Sequence, residues 1–199
     1  MHSNDPERIY REVRTVRTNF QTREDGGERH LVGYFAVFNS DYEIAPGMTE
    51  SIAPGAFSRT LSGDVRALTN HDSTLVMGRT TAHTLTLAED AHGLFGDILI
   101  NPNDQDAVNT WERVQRGDVD QCSIGFEIVD EETEFRDDGS VHWTIKEVIL
   151  YEVSVCTFPA YKETNVAARS AERDAIKARQ LEAWKIKAKA RLKGVVENA

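Results

Sequence analysis

The chain has 199 residues, of which 40% are hydrophobic and 28% are charged, and its net charge is −10. This length and composition are typical of one globular domain with room for an appendage. A negative charge of this size argues against general binding to nucleic acid or to an anionic membrane surface.

The cysteines and the apolar runs indicate where the protein works. Cys122 and Cys156 each lie in an apolar run of strand-forming residues, so we expect buried free thiols, since no secretory signal precedes them. No run approaches the ~18 apolar residues that a membrane-spanning helix requires. No zinc-binding spacing is present, so we expect no metal and no cofactor. We expect a protein of the cytoplasm, or one enclosed in a particle assembled there.

The first third of the chain predicts strands after a polar start. Residues 1–29 are polar and rich in arginine, which favours a solvated arm or first strand. Residues 31–38 form a nearly continuous apolar run that predicts a buried strand. After a loop, residues 54–61 are expected to form a short helix with Phe57 and Leu61 facing the core. Residues 65–69 alternate like a strand, and His71 follows just after the end of this strand.

The middle of the chain predicts a hairpin, a helix and two long strands. Residues 84–87 and 94–100 are two alternating runs joined by a hairpin-type connection. Asp104 can cap a helix whose apolar residues repeat at helical spacing, and Gly117 is placed to end it. Residues 120–128 and 141–158 then read as strands. Closely spaced strands joined by short turns favour a mainly β (α+β) fold with an antiparallel, barrel-like sheet and two or three helices.

The C-terminal region differs in charge and composition. Residues 167–199 contain nine Lys/Arg and four Asp/Glu, so this tail is near +5 and the remainder near −15. Its Ala, Lys, Arg and Glu content predicts a basic amphipathic helix, with an apolar stripe of Leu181, Trp184, Ala188 and Leu192. We therefore divide the chain into an arm (1–29), a central domain (30–166) and a helical tail (167–199).

Three residues could together form a serine-protease site, although each has an ordinary structural explanation. Ser123 lies in a strand with Gly125 beyond it, but serine is common in strands, and this is not the Gly-x-Ser-x-Gly elbow of α/β-hydrolases. His71 lies at a strand end, where a histidine can reach into a cleft. Glu152 lies among strand formers, where burying a carboxylate is costly unless it is paired; the alternative is an outward-facing edge position.

The chemistry of such a site follows from the residue types. His71 would remove the proton from the Ser123 hydroxyl, and Glu152 would hold the imidazole in the correct tautomer. Backbone N–H groups near Ser123, or a nearby arginine such as Arg79 or Arg113, could stabilise the oxyanion. His142, within a later strand, is a reserve candidate.

Six stretches occurring in order resemble a known family. They are residues 33–39, residues 52–57, Asn70-His71-Asp72 with Gly78-Arg79-Thr80, Arg116-Gly117-Asp118, Cys122-Ser123-Ile124-Gly125-Phe126, and residues 152–161. Each is weak alone, but together they make residues 31–166 closely resemble the prohead (capsid maturation) proteases of tailed bacteriophages, of the HK97 type. That family is related to the herpesvirus assemblin proteases.

The resemblance implies a fold, a reaction and a place. The fold would be a herpesvirus-protease β-barrel ringed by a few helices. The protein would be a serine endopeptidase inside the prohead, in the host cytoplasm, that cuts scaffold or the delta domain of the major capsid protein, and finally itself. The family's histidine and serine fall on His71 and Ser123. Its acidic position falls on Glu152, whereas the herpesvirus relatives use a second histidine, for which His142 is the candidate.

Some alternatives stay open. The chain could be a catalytically inactive protein that keeps the protease fold and serves as scaffold, or a serine hydrolase of small esters. The basic tail could mediate self-association, dock on acidic capsid-lining surfaces, or be a cleavage substrate itself. Neither nucleic acid nor a membrane is expected as a partner.

Overall fold

A computed structural model describes residues 12–17 and 20–158, together with residues 174, 177, 178, 181, 182 and 185. The chain forms two compact units, Met1–Ala160 and Tyr161–Ala199. Each described position of the second unit has helical backbone, and Leu181 is half exposed. The rest of the predicted stripe, Trp184, Ala188 and Leu192, lies outside the described residues, so the amphipathic tail stays a prediction. No helix in the described part of the chain is both long and apolar enough to cross a membrane.

The described part of the first unit is built mainly of strands, with a single α-helix. The strands are β1 (Glu12–Arg17), β2 (Gln21–Asp25), β3 (Glu28–Val37), β4 (Tyr42–Ala45), β5 (Met48–Ile52), β6 (Arg66–Thr69), β7 (Asp72–Arg79), β8 (Leu85–Glu89), β9 (Gly93–Ile100), β10 (Gln121–Phe135) and β11 (Val141–Cys156). The helix is α1 (Gln105–Gln115), and Thr80–Ala82 forms a short 3₁₀ turn.

The strands form two sheets. The larger has seven strands, with the path β1-β10-β11-β5-β4 and with β6 paired to both β11 and β7. The smaller has four strands in the order β2-β3-β9-β8. Over the described residues neither sheet closes on itself, so the predicted barrel is wrong. The described residues of the first unit also contain one α-helix, whereas a ring of a few helices was expected.

The long strand β11 has parallel partners in the larger sheet. Its first residues pair in parallel with β5, from Val141 opposite Met48 onward, and its last residues pair in parallel with β6, from Glu152 opposite Arg66 onward. These parallel pairs replace the all-antiparallel arrangement that the hairpin spacing favoured. They also bring the end of β6, just before His71, alongside the end of β11.

Residues 54–61 form consecutive turns instead of the predicted short helix. Gly55 has a φ of +91°, which interrupts a helical backbone. Several backbone bonds here join residues three apart, such as Ser58 N–H to the Gly55 carbonyl at 3.1 Å. The expected packing is nevertheless present, because Phe57 is fully buried and Leu61 packs against the core.

Helix α1 forms as its sequence predicts. The Asp104 side chain accepts hydrogen bonds from the backbone N–H groups of Asp106 and Ala107, which caps the first turn. Its buried face includes Trp111, whose indole N–H donates to the backbone carbonyl of His30 in β3 at 3.2 Å.

Both sheets and the helix share one hydrophobic core. Leu31, Phe35, Leu94 and Ile98 enter it from the smaller sheet, and β10 and β11 contribute Ile124, Phe126, Val153 and Val155 from the larger one. The Cys122 thiol also points toward the smaller sheet, 3.1 Å from the backbone carbonyl oxygen of Tyr34. Since neighbouring residues of a strand point to opposite faces, the residues between these core positions face away from the core.

Candidate active site

His71 lies in a two-residue turn between β6 and β7. Asn70 and His71 have φ values of +52° and +60°, and Thr69 pairs with Asp72 across the turn. Positive φ at both central residues is what a type I′ hairpin requires. Histidine adopts this conformation at a cost, so the surrounding contacts must hold it there.

The turn is anchored to the end of β11. The Asn70 N–H donates to the Val155 carbonyl at 2.9 Å, and the Asn70 side-chain oxygen accepts the Thr157 N–H at 2.8 Å. The His71 N–H donates to the Ser154 hydroxyl oxygen at 3.2 Å. These bonds fix the backbone of His71 against the strand that contains Glu152.

His71 and Glu152 are directly hydrogen-bonded. The Nδ1 atom of His71 lies 2.6 Å from Oε1 of Glu152, and the two side chains are 24% and 1% exposed. Because a carboxylate accepts, Nδ1 carries the proton, which leaves Nε2 as an acceptor in the neutral ring. Glu152 is therefore a buried, paired carboxylate and not an edge-exposed one.

Ser154 joins this pair, although it is not among the predicted site residues. Its hydroxyl donates to Oε2 of Glu152 at 2.5 Å, so both carboxylate oxygens of Glu152 accept hydrogen bonds. The available signal was the spacing: Ser154 stands two residues after Glu152 and so shares its face of the strand.

Ser123 lies on the strand next to this group. On β10 it stands opposite Ser154, and Gly125 stands opposite Glu152. Residues directly opposite across an antiparallel pair share a face of the sheet, so Ser123 lies on the face that holds Ser154 and Glu152. Ser123 is fully buried. The three predicted residues thus converge on one region, where the ends of β6, β10 and β11 meet.

A β-bulge sets which side chains of β11 face this region. Gly125 pairs with Glu152 but Phe126 pairs with Leu150, so Tyr151 is an additional residue in β11. Leu150 and Val153 both enter the core in spite of their odd spacing. The bulge therefore turns Glu152 to the face away from the core.

Cys156 contacts the other nitrogen of the imidazole. Its Sγ lies 3.7 Å from Nε2 of His71. Burial raises the pKa of this thiol to about 12. At neutral pH Cys156 is therefore a thiol and not a thiolate, which argues against a cysteine nucleophile here.

His142, the reserve candidate, is held elsewhere on β11. Its Nδ1 lies 2.8 Å from the Thr49 hydroxyl oxygen and its Nε2 lies 2.9 Å from the Ser51 hydroxyl oxygen, both on β5. The structure thus places Glu152, and not His142, against His71.

The two arginines considered for the oxyanion have different surroundings. Arg79 donates to both carboxylate oxygens of Asp64 at 2.6 Å, and this pairing holds the pKa of Asp64 well below its usual range. Arg113 lines a cavity of about 320 Å³ together with Asn70, Val155 and Thr157. Among the described residues, no group of three or more His, Cys, Asp or Glu side chains is placed to hold a metal ion.

Comparison with known proteins identifies the family. A family model described as the caudovirus prohead serine protease matches residues 17–179. The chain belongs to this family. It is 30% identical over 174 residues to the prohead protease of Enterobacteria phage HK97, covering 84% of this chain and 72% of the relative. The solved capsid assembly protease of bacteriophage T4 is 10% identical, with a TM-score of 0.45 over 74% of this chain and 99% of that one.

Membership of the caudovirus prohead serine protease family makes the chain a protease of capsid maturation, as the resemblance predicted. The matched region contains His71, Ser123 and Glu152. It also extends to residue 179, beyond residue 166, where the resemblance noted in the sequence ended.

Proposed function

We propose that the chain is a serine endopeptidase in which Ser123 is the nucleophile, His71 the general base and Glu152 the residue that orients His71. The observation that supports this most is the 2.6 Å hydrogen bond between His71 and the buried Glu152, on the face of the sheet that also holds Ser123. Glu152 therefore already holds the imidazole through a hydrogen bond, and Ser123 lies on the same face of the sheet as Glu152.

The proposed reaction is acyl transfer. Nε2 of His71 takes the Ser123 proton as Oγ attacks the scissile carbonyl carbon, and the imidazolium is stabilised by Glu152. His71 then gives the proton to the leaving amine, and a water molecule hydrolyses the acyl-enzyme by the same route. Since Arg79 is tied to Asp64, Arg113 is the arginine we retain as a candidate for the oxyanion.

We propose that the substrates are the scaffold or delta domain of the major capsid protein, and then the chain itself, inside the prohead in the host cytoplasm. The family membership and the HK97 relative support this assignment. Ser123 is fully buried, so the site has to open before a peptide reaches it.

Co-expression with the major capsid protein of the same phage tests the proposal. On a denaturing gel, the capsid precursor should shorten with the wild type and stay full-length with Ser123→Ala. Ser62→Ala, at an exposed position, is the matched control and should behave as the wild type. A capsid precursor that shortens in the presence of Ser123→Ala would contradict the assignment of Ser123 as the nucleophile. Particles that assemble and mature normally with an uncleaved precursor would favour the inactive scaffold instead.

A further inference from the structure

Gln121 has a buried polar atom that the proposed triad does not use. It is the first residue of β10 and only 8% exposed. Its side-chain oxygen, Oε1, is buried and has no hydrogen-bond partner in the part of the chain that the structure describes. Leaving a buried amide oxygen unsatisfied is costly, and most buried polar groups in native proteins are paired. An unpaired one beside a reactive residue indicates a missing donor.

Its strand position places Gln121 beside the candidate site. Gln121 and Ser123 are two residues apart on β10, so their side chains share a face of the sheet. Across the strand pair Gln121 stands opposite Cys156, whose Sγ lies 3.7 Å from Nε2 of His71. Gln121 therefore stands opposite the residue that contacts the nitrogen proposed to accept the Ser123 proton.

We infer that Gln121 is a substrate-binding residue that accepts a main-chain N–H of the peptide beside the scissile bond. This inference rests on the proposed function. The missing partner must be a donor, and a peptide chain presents an N–H at every residue except proline. Gln121 and Ser123 stand two residues apart on one face of β10, so a peptide bound at Ser123 also lies beside Gln121. The hydrogen bond would hold the peptide in register with the hydroxyl.

A small serine-directed probe separates this role from catalysis. Gln121→Leu removes the amide at similar volume, and Gln115→Leu makes the same change at an exposed position of α1. A fluorophosphonate reports the reactivity of Ser123 without offering a peptide N–H. We expect Gln121→Leu to react with it within about twofold of the wild type. On a peptide spanning the cleavage junction of the capsid precursor, identified by mass spectrometry of the shortened product, its kcat/KM should be about tenfold lower. Gln115→Leu should match the wild type in both assays.

Substrates methylated at single backbone nitrogens test the class of donor directly. At one position beside the scissile bond, N-methylation should lower wild-type kcat/KM about tenfold and leave that of Gln121→Leu unchanged, because the bond is already lost. Gln121→Met replaces the leucine variant if that variant does not fold. Three outcomes would overturn the inference. They are a wild-type kcat/KM that no N-methylation lowers, a variant as sensitive to N-methylation as the wild type, and a variant that cleaves the peptide as well as the wild type. Failure of the wild type to react with the fluorophosphonate instead counts against the proposed function.

Discussion

Both carboxylate oxygens of Glu152 are engaged, one by His71 and the other by Ser154. Glu152→Gln preserves the shape of the side chain but removes the charge that would stabilise an imidazolium. We expect the rate of peptide cleavage to fall by about 10²- to 10⁴-fold. This loss should be smaller than with Ser123→Ala or His71→Ala, because replacing the orienting residue usually reduces activity less than replacing the nucleophile or the base. Glu127→Gln, at an exposed carboxylate on β10, should cleave like the wild type. Full activity of Glu152→Gln would contradict the role given to Glu152.

The Cys156 thiol leads to a prediction of how the stability of the folded protein depends on pH. Burial raises its pKa from 9.0 to about 12, so between these values the folded state keeps a proton that the unfolded state has lost. The contribution is thus complete below pH 9 and declines as pH rises. We expect the free energy of unfolding to fall between pH 8 and pH 10 by about 1 kcal/mol more in the wild type than in Cys156→Ser. Urea titrations at the two pH values measure this, and equal declines would show that the thiol ionises normally.

The β6–β7 turn is the element that positions His71. Asn70 has a φ of +52° and its side chain accepts the Thr157 N–H at 2.8 Å. Asn70→Gly loses the hydrogen bond but tolerates the backbone, whereas Asn70→Ala loses the bond and is strained. We expect the alanine variant to be less stable than the glycine variant by about 1 kcal/mol in urea unfolding, and to cleave peptide more slowly. Equal stabilities would mean that the turn relaxes without cost.

Strong local patterns of apolar residues and capping residues predicted strands and a helix correctly. The alternating runs became β8 and β9, and Asp104 caps α1 as expected. The sequence predicts a loop where β4 and β5 form a hairpin, because both strands are short and partly polar. The helix expected over residues 54–61 failed at Gly55, whose positive φ the apolar spacing does not reveal.

Long-range pairing limited what the sequence could predict about the site. The parallel pairing of β11 with β5 and β6 joins segments far apart in the chain, and no local periodicity encodes it. Strand context and the family resemblance predict each of the three proposed site residues. Ser154 and Gln121 were not assigned roles, since a serine or glutamine in a strand carries no signal until its neighbours across the sheet are known.

On the scale of the whole molecule, charge is divided along the chain, with the tail near +5 and the remainder near −15. His71, Ser123 and Glu152 all belong to the unit Met1–Ala160. The proposed triad and the proposed docking tail therefore lie in different parts of the chain, and their effects should be separable by truncation.

Two truncations test that separation. Removing residues 167–199 should leave kcat/KM on a soluble peptide within about twofold, a change worth under 1 kcal/mol, but should reduce the amount of protease in purified proheads, measured by immunoblot. Ending the chain after residue 179 keeps all of the family-matched region and removes most of the basic residues of the tail. If positive charge drives docking, ending the chain after residue 179 should also reduce incorporation. Replacing Lys185, Lys187, Lys189 and Lys193 with glutamate in the full chain should do the same.

Normal incorporation of the chain that lacks residues 167–199 would show that the tail is not the docking element. Loss of peptide cleavage would instead show that the catalytic unit depends on the tail.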